Sequence, residues 1–422
     1  MSENTGRNDE VSTKCRICES PLLDKVMDLG FQPLSGVFQD RISDEAQLFP
    51  LVLFVCGRCN LVQLGESVTL EKMYGESYGY RSGLNPTMIT HLAEVASEIT
   101  SRIDLGNEPG TVLDIGSNDG TFLRNFDPNV FRRVGIDPSA KKFLEFYDPG
   151  VNVIVDFFSE KAYAERELSR PNLVTSIAMF YDLENPMRFA QEIHNLLIEG
   201  GYWYLEVCYG PWVAGVGAFD TICHEHLEYY SLGNLDHIFR EIGFRVIHTS
   251  VSNSNGVSVG LLVRKFDSAN KEILVHENVF EWLLHVEKMN ELNSISTWKN
   301  SSELVLNKKD ELLKILSEIK LSGKSIYGMG ASTKGNVLLN YLEINAQTIT
   351  AIGEVNTSKF GKFMPGSGIP IIPEDEVLEA MPDYILFLPW HFREFAINKY
   401  ANYLDMGGKL IFPLPDLEIY PA

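Results

Sequence analysis

The spacing of apolar residues changes several times along this chain. From about residue 78 to 264, short runs rich in β-branched and aliphatic residues alternate with stretches of helical period. The runs are Thr111–Ile115, Arg133–Ile136, Val151–Val155, Leu173–Ile177 and Tyr202–Val207. Ahead of them, Pro86 to Ile103 sets Ile89, Leu92, Val95, Ala96 and Ile99 on one helical face. Further helices are predicted at Gly120–Phe126, Ser139–Phe146 and Pro186–Leu197. Another follows Ser231, a capping residue, and carries the stripe Leu232, Leu235, Ile238, Phe239 and Ile242 before Gly243. Strand–helix alternation predicts an α/β fold with a parallel sheet covered on both faces. After a helical stretch from about 273 to 321, runs at Lys324–Tyr327, Ile349–Ile352, Tyr384–Leu388 and Lys409–Phe412 predict a second α/β sheet. Residues 14–75 differ again, with Gly and Pro punctuation, short apolar runs and little helical period, and 1–13 read as a disordered arm. The expected division is therefore 1–13, 14–75, 76–265 and 266–422.

Composition narrows the classes. A chain of 422 residues suggests two or three domains, and 45% hydrophobic with 22% charged residues is an ordinary globular mixture. The formal charge of -21 speaks against nucleic acid and against a polybasic membrane surface as partners. The strongest apolar run, Phe49 to Cys56, is far short of the about 20 residues that cross a bilayer. The polar start lacks the apolar core of a secretion signal, so a cytoplasmic protein is expected.

Four of the six cysteines form two pairs, Cys15-x-x-Cys18 and Cys56-x-x-Cys59. Two CxxC knuckles can present four thiolates tetrahedrally to Zn²⁺, and four protein ligands leave no open position, so the expected site is structural. Neither pair sits in a βα unit, which disfavours redox work.

The run Val112-Leu113-Asp114-Ile115-Gly116-Ser117-Asn118-Asp119-Gly120-Thr121 takes a strand through a glycine-bearing turn. Gly116 and Gly120 let the backbone approach a ligand closely, but the spacing is not GxGxxG. Acids in the turn repel a pyrophosphate and suit a ligand with cationic groups. S-adenosylmethionine carries a sulfonium and an ammonium; a nicotinamide dinucleotide is the competing ligand. Asp137 ends the second strand, where a carboxylate can accept from ribose hydroxyls. Asp156-Phe157 follows the third, suited to an adenine amino group and ring.

Thr221-Ile222-Cys223-His224-Glu225-His226-Leu227-Glu228-Tyr229-Tyr230-Ser231 forms a loop at a helix entrance. It is not HExxH, because position 228 is Glu. A histidine with an adjacent carboxylate near the cofactor points to acid–base chemistry. In the C-terminal half, Gly328-Met329-Gly330-Ala331-Ser332-Thr333-Lys334-Gly335-Asn336 is a candidate diphosphate cradle, built from a helix start and Lys334. Trp390 is a candidate contact at a domain cleft.

Taken together, the four-cysteine unit, DIGSNDGTF, TICHEHLEYYS, YGMGASTKGNVLLNY and LPWHF resemble the sugar C-methyltransferase family over nearly the whole chain. The resemblance implies a zinc unit, a class I Rossmann-like S-adenosylmethionine methyltransferase domain, and a second Rossmann-like domain without its own cofactor. It implies methylation, typically at C-3, of a nucleotide-linked 4-keto-deoxysugar through an enolate. By the same resemblance His226 matches the general base, Glu225 its carboxylate neighbour, and Tyr78 and Tyr80 a segment closing over the site. Tyr181 stands where many relatives carry His, and Cys223 where some carry a sugar-contacting Tyr, with His224 beside it. Val257 departs from the usual Asn-Gly-Gly-Ser. A monomer is expected. The rival readings are an NAD-linked sugar oxidoreductase and a non-enzymatic zinc-ribbon interaction protein.

Overall fold

A computed structural model describes residues 14–41, 47–68, 80–106, 109–253, 256–266 and 278–422. Strands β1 (Leu23–Pro33), β2 (Leu48–Cys56) and β3 (Val62–Leu64) pair antiparallel. Leu51, Leu53 and Val55 alternate inward along β2, which is why this stretch is a strand with one face in the core. The central sheet contains β4 (Gly110–Ile115), β5 (Phe131–Ile136), β6 (Asn152–Ile154), β7 (Leu173–Ile177) and β8 (Tyr202–Cys208), all mutually parallel. Every residue of β4 is buried, as expected of a strand covered on both faces.

Strand β9 (Glu228–Tyr229) leaves the central region and pairs with β3, giving a four-stranded sheet in the order β1-β2-β3-β9. Strands β10 (Phe244–Ser252) and β11 (Ser258–Lys265) complete the central sheet as β10-β11-β8-β7-β4-β5-β6. The five predicted strands are parallel, and the two that sequence reading did not foresee run otherwise: β11 is antiparallel to β8 and to β10. A short connection joins β10 and β11, and only antiparallel strands can be joined that way. Its positive φ falls on Gly256, at 107°, where an added Cβ would lie 2.8 Å from the Trp212 ring. Val257 is not in the left-handed region, so its departure from Gly costs no local strain.

Two predicted helices are also corrected. Residues 120–126 hold only the 3₁₀ turn Leu123–Asn125, and 139–146 hold two, Pro138–Lys142 and Leu144–Phe146. In the first, Phe122, Leu123 and Phe126 all turn into the core just before Asp127-Pro128, leaving no length for a regular helix. In the second, Phe143 departs from helical angles at φ −120°, ψ 10°. The helices Pro86–Thr100, Pro186–Leu196 and Leu232–Ile242 form where the apolar period and caps place them.

Strands β12 (Ile326–Met329), β13 (Ile352–Glu354), β14 (Ile371–Pro373), β15 (Tyr384–Phe387), β16 (Lys409–Phe412) and β17 (Glu418–Tyr420) form the third sheet, ordered β14-β13-β12-β15-β16-β17. All its pairs are parallel except β16–β17. Helices Asn278–Met289 and Ile295–Leu321 connect it to the central sheet. No helix among the described residues is long and apolar enough to cross a membrane.

One continuous apolar cluster joins Leu53 of β2, Phe219 beside the central sheet, Trp298 of the connecting helix and Leu338 of the C-terminal unit. Trp298 is fully buried, packs edge-on to Tyr229 at 5.9 Å between ring centres, and donates its indole N–H to Asn293. Trp298→Ala should therefore cost about 3–5 kcal/mol. Urea unfolding followed by fluorescence checks this; an unchanged midpoint would show that the cluster is not shared.

Candidate active site

A cavity of about 870 Å³ opens between the carboxyl edge of the central sheet and that of the third sheet. On the central side, the turn after β4 uses positive φ at Gly116, Asn118 and Gly120 (76°, 49° and 73°). A Cβ at Gly120 would stand 2.7 Å from the Tyr147 ring, so the turn packs closely only with glycine there. Asp114, Gly116, Asn118, Thr121, Asp137 and Phe157 all line the cavity. The Asp137 carboxylate accepts the Asn118 and Ser139 backbone N–H groups, at 2.8 and 2.6 Å, which aligns it with the turn. Burial pushes the Asp114 carboxyl up to about 7, although the Thr175 hydroxyl donates to it at 2.7 Å.

Three residues expected at the cofactor do not border the cavity. Asp119 is buried off the cavity, where it binds the Arg81 guanidinium at 3.0 Å, the Gly83 N–H and the Thr121 hydroxyl. The left-handed Asn118 turns it away from the ligand side. Gly120 likewise does not border the cavity, and Asp156 accepts from its neighbour Phe157 N–H at an exposed position, leaving Phe157 and Phe158 at the wall. Asn118 also accepts the Ser82 N–H and donates to the Tyr80 carbonyl, so the turn holds the segment that lies over it. Tyr80 borders the cavity, about half exposed; Tyr78 lies outside the described residues.

His226 lines the cavity with Tyr181, Cys223 and Glu225. Its Nδ1–H donates to the Thr221 carbonyl at 2.8 Å. A carbonyl can only accept, so the neutral ring keeps its proton on Nδ1 and leaves Nε2 as the basic atom. Burial, then the nearby Lys334 ammonium, pushes His226 down to about 4. The Tyr181 ring meets the imidazole edge-on at 4.5 Å. Glu225, expected as the carboxylate neighbour of His226, does not orient this ring. Glu225 faces the Ser35–Gly36 loop, its carboxyl raised by burial, and Thr221 does the orienting. His224 is also corrected: it turns to the opposite side, packs edge-on against Phe49 and hydrogen-bonds that residue's carbonyl at 3.3 Å.

Across the cavity, Lys334 and His391 project from the C-terminal unit. Asn336 is buried behind Lys334, away from the cavity, because it falls on the inner face of the helix Thr333–Tyr341. Trp390 is likewise not at the wall; it stacks on Trp212 and donates its N–H to Asp220 at 2.7 Å, joining two units. Sequence reading passed over Glu206, which borders the cavity with both carboxylate oxygens within 3.0 Å of His91 Nε2. An acid inside the strongly apolar run Tyr202–Cys208 was its available signal.

Three family models match the chain in succession: a zinc binding domain over residues 15–74, a methyltransferase domain over 88–249, and a C-methyltransferase C-terminal domain over 253–415. The chain is 28% identical to the C-methyltransferase NovU of Streptomyces niveus over 416 residues, spanning 97% of each protein. Together these matches support an S-adenosylmethionine-dependent C-methyltransferase. Among solved structures, a methyltransferase from Mesorhizobium loti is 15% identical, covering 42% of this chain and 99% of that one, with a TM-score of 0.33. The plantazolicin methyltransferase BpumL is 13% identical, covering 42% and 84%, with a TM-score of 0.32.

Both groups that a C-methyltransferase of this kind requires fit the residues present. The Sγ atoms of Cys15, Cys18, Cys56 and Cys59 lie within 4.8 Å of one another, with Cys15–Cys59 at 3.4 Å and Cys18–Cys56 at 3.6 Å. Zn–S bonds of about 2.3 Å in a tetrahedron give S–S edges of about 3.8 Å. Each knuckle is closed by a left-handed residue just past its second cysteine, Glu19 and Asn60. All six cysteines are free of disulfides. The cofactor side presents the carboxylates Asp114, Asp137 and Glu206, which fits a cationic adenosyl ligand better than a diphosphate. A cation beside Asp114 favours its charged form, so binding draws off a proton wherever the free protein holds one. Affinity for S-adenosylmethionine should rise up to about tenfold from pH 6 to pH 8. Calorimetry in buffers of different ionisation enthalpy checks this; a level affinity without proton release would remove Asp114 from the ligand's field.

Proposed function

We propose that this C-methyltransferase acts at C-3 of a nucleotide-linked 4-keto-deoxysugar, with His226 as the base. The observation that carries the reading is the His226 ring itself. It lines the cavity, its Nδ1 proton is committed to Thr221, and its Nε2 is unprotonated at neutral pH. The sugar is inferred from the motifs spread along the whole chain.

A ketone at C-4 acidifies the C-3 proton by placing the resulting charge on oxygen. His226 Nε2 takes that proton while Thr221 keeps the ring from turning. S-adenosylmethionine, when bound, supplies an electrophilic methyl group to the carbanion. Asp114, Asp137 and the turn at Gly116 would hold it by its cationic and ribose groups, and Phe157 would offer its ring to the adenine. Tyr181, beside His226, and Tyr80, at the rim, are the phenols that could donate to the enolate oxygen. Lys334, at the start of the helix capped by Ser332, offers a cation and backbone N–H groups to the diphosphate. The cavity is lined from both the central and the third sheet, which brings the reacting groups together.

His226→Asn should lower kcat by about 10²–10⁴-fold while S-adenosylmethionine affinity stays near wild type. The decisive assay offers dTDP-, GDP- and CDP-linked 4-ketosugars in deuterated water without methyl donor. Wild-type protein should exchange the C-3 hydrogen of its substrate and His226→Asn should not. Full exchange or turnover in the variant would remove His226 from the base role.

A further inference from the structure

Between the first two thiolates stands a buried arginine. Arg16 lies in the Cys15–Cys18 knuckle, yet among the described residues its side-chain hydrogen bonds and charge contact reach past the knuckle. Its Nη1 donates to the Leu64 carbonyl at 2.8 Å and reaches the Leu227 carbonyl at 3.5 Å, and Nη2 donates to Ser67. Its Nε faces the Glu228 carboxylate at 3.5 Å, with both side chains almost wholly buried (4% and 0% exposed). Its backbone N–H binds Gln63 Oε1. All of these partners belong either to β3 and the residues after it or to the segment immediately following His226.

From there the contacts run on to the base. The Leu64 N–H donates to the Leu227 carbonyl at 2.9 Å, and Val62 pairs with Tyr229 across β3 and β9. The Tyr229 hydroxyl donates to the Thr221 carbonyl at 3.3 Å, the same oxygen that accepts the His226 Nδ1–H. The second knuckle grips the other side of this segment, because Asn234 donates to the Cys59 carbonyl at 2.8 Å. The loop bearing His226 is thus fastened at its exit to both halves of the four-thiolate site.

We propose that Arg16 is a positioning residue for His226: held between two metal-binding thiolates, it fixes β9, and through the Tyr229 hydroxyl it fixes the carbonyl that orients the imidazole. The metal-binding unit then sets turnover as well as stability. This rests on His226 being the base, and the test separates the two ideas. Guanidinium geometry matters here, because a fork spanning two carbonyls, a hydroxyl and a carboxylate cannot be replaced by a single ammonium.

Arg16→Lys and Tyr229→Phe are compared with wild type in full-length, zinc-loaded protein. Zinc content is measured by metal analysis, cofactor affinity by calorimetry, and the His226 ring by nitrogen-15 NMR, its signals assigned by their loss in His226→Asn. Both variants should keep zinc and cofactor affinity. Both should shift the His226 nitrogen signals and lower kcat on the order of tenfold to a hundredfold, the scale of a misplaced catalytic group. His226 signals unmoved in Tyr229→Phe, or unmoved in a zinc-replete Arg16→Lys, overturn the proposal. Should Arg16→Lys lose its zinc, Tyr229→Phe decides alone, since it leaves the knuckles untouched. Full turnover in His226→Asn would instead overturn the base assignment, whatever the other variants do.

Discussion

A single carbonyl oxygen, that of Thr221, is where the molecule's constraints meet. It accepts from His226 Nδ1 and from the Tyr229 hydroxyl, and it belongs to a short 3₁₀ turn, Phe219–Thr221, buried against the helix Thr333–Tyr341. Three units thereby touch one atom's surroundings. The neutral tautomer of His226 follows from that bond, as does the direction of its basic nitrogen. Burial, then the nearby Lys334, lowers the pKa of the ring, which keeps the imidazole neutral at neutral pH.

The metal-binding sheet takes its fourth strand from the chain segment that follows His226, and Arg16 faces Glu228 at that junction with both side chains buried. Burial pushes the Glu228 carboxyl well above its usual range against the pull of Arg16, so the contact adds little net stability, yet losing either partner would strand a buried polar group. The effect is to penalise any other placement of β9. On the far side of the cavity the bond from Trp390 to Asp220 ties the C-terminal unit to the same turn. The cavity is therefore walled by elements that cannot shift separately without exposing buried polar groups.

Electrostatics divides the cavity in two. Asp114, Asp137 and Glu206 line the side of the central sheet; on the other stand Lys334 and the pairs Lys359–Glu354 and Lys399–Glu374. That distribution suits a cationic methyl donor and, on the proposed reading, an anionic nucleotide opposite it. It arises in a chain whose net charge of -21 gives no hint of a local cation.

The apolar period and strand–turn–helix alternation were enough to assign the α/β class and the positions of β4, β7, β8 and β16, because a buried parallel strand must be a short continuous apolar run. Cysteine spacing was enough to foresee a four-thiolate cluster, since ligand chemistry demands it. The acids and glycines after β4 were legible for the same reason. Side-chain direction was not. Asp119, His224, Asn336 and Trp390 carry the right chemistry in the right segments, yet left-handed turns and helix faces point them away from the cavity. Adjacency in sequence suggested Glu225 as the partner of His226, but neighbouring residues in an extended loop face opposite ways, so a backbone carbonyl took that place. Glu206 and His91, far apart along the chain, met only when the helix Pro86–Thr100 packed against β8. Local period and ligand chemistry are properties of nearby residues and can be read in a line of letters; which way a side chain faces, and what distant group it meets, depends on packing that only the folded chain supplies.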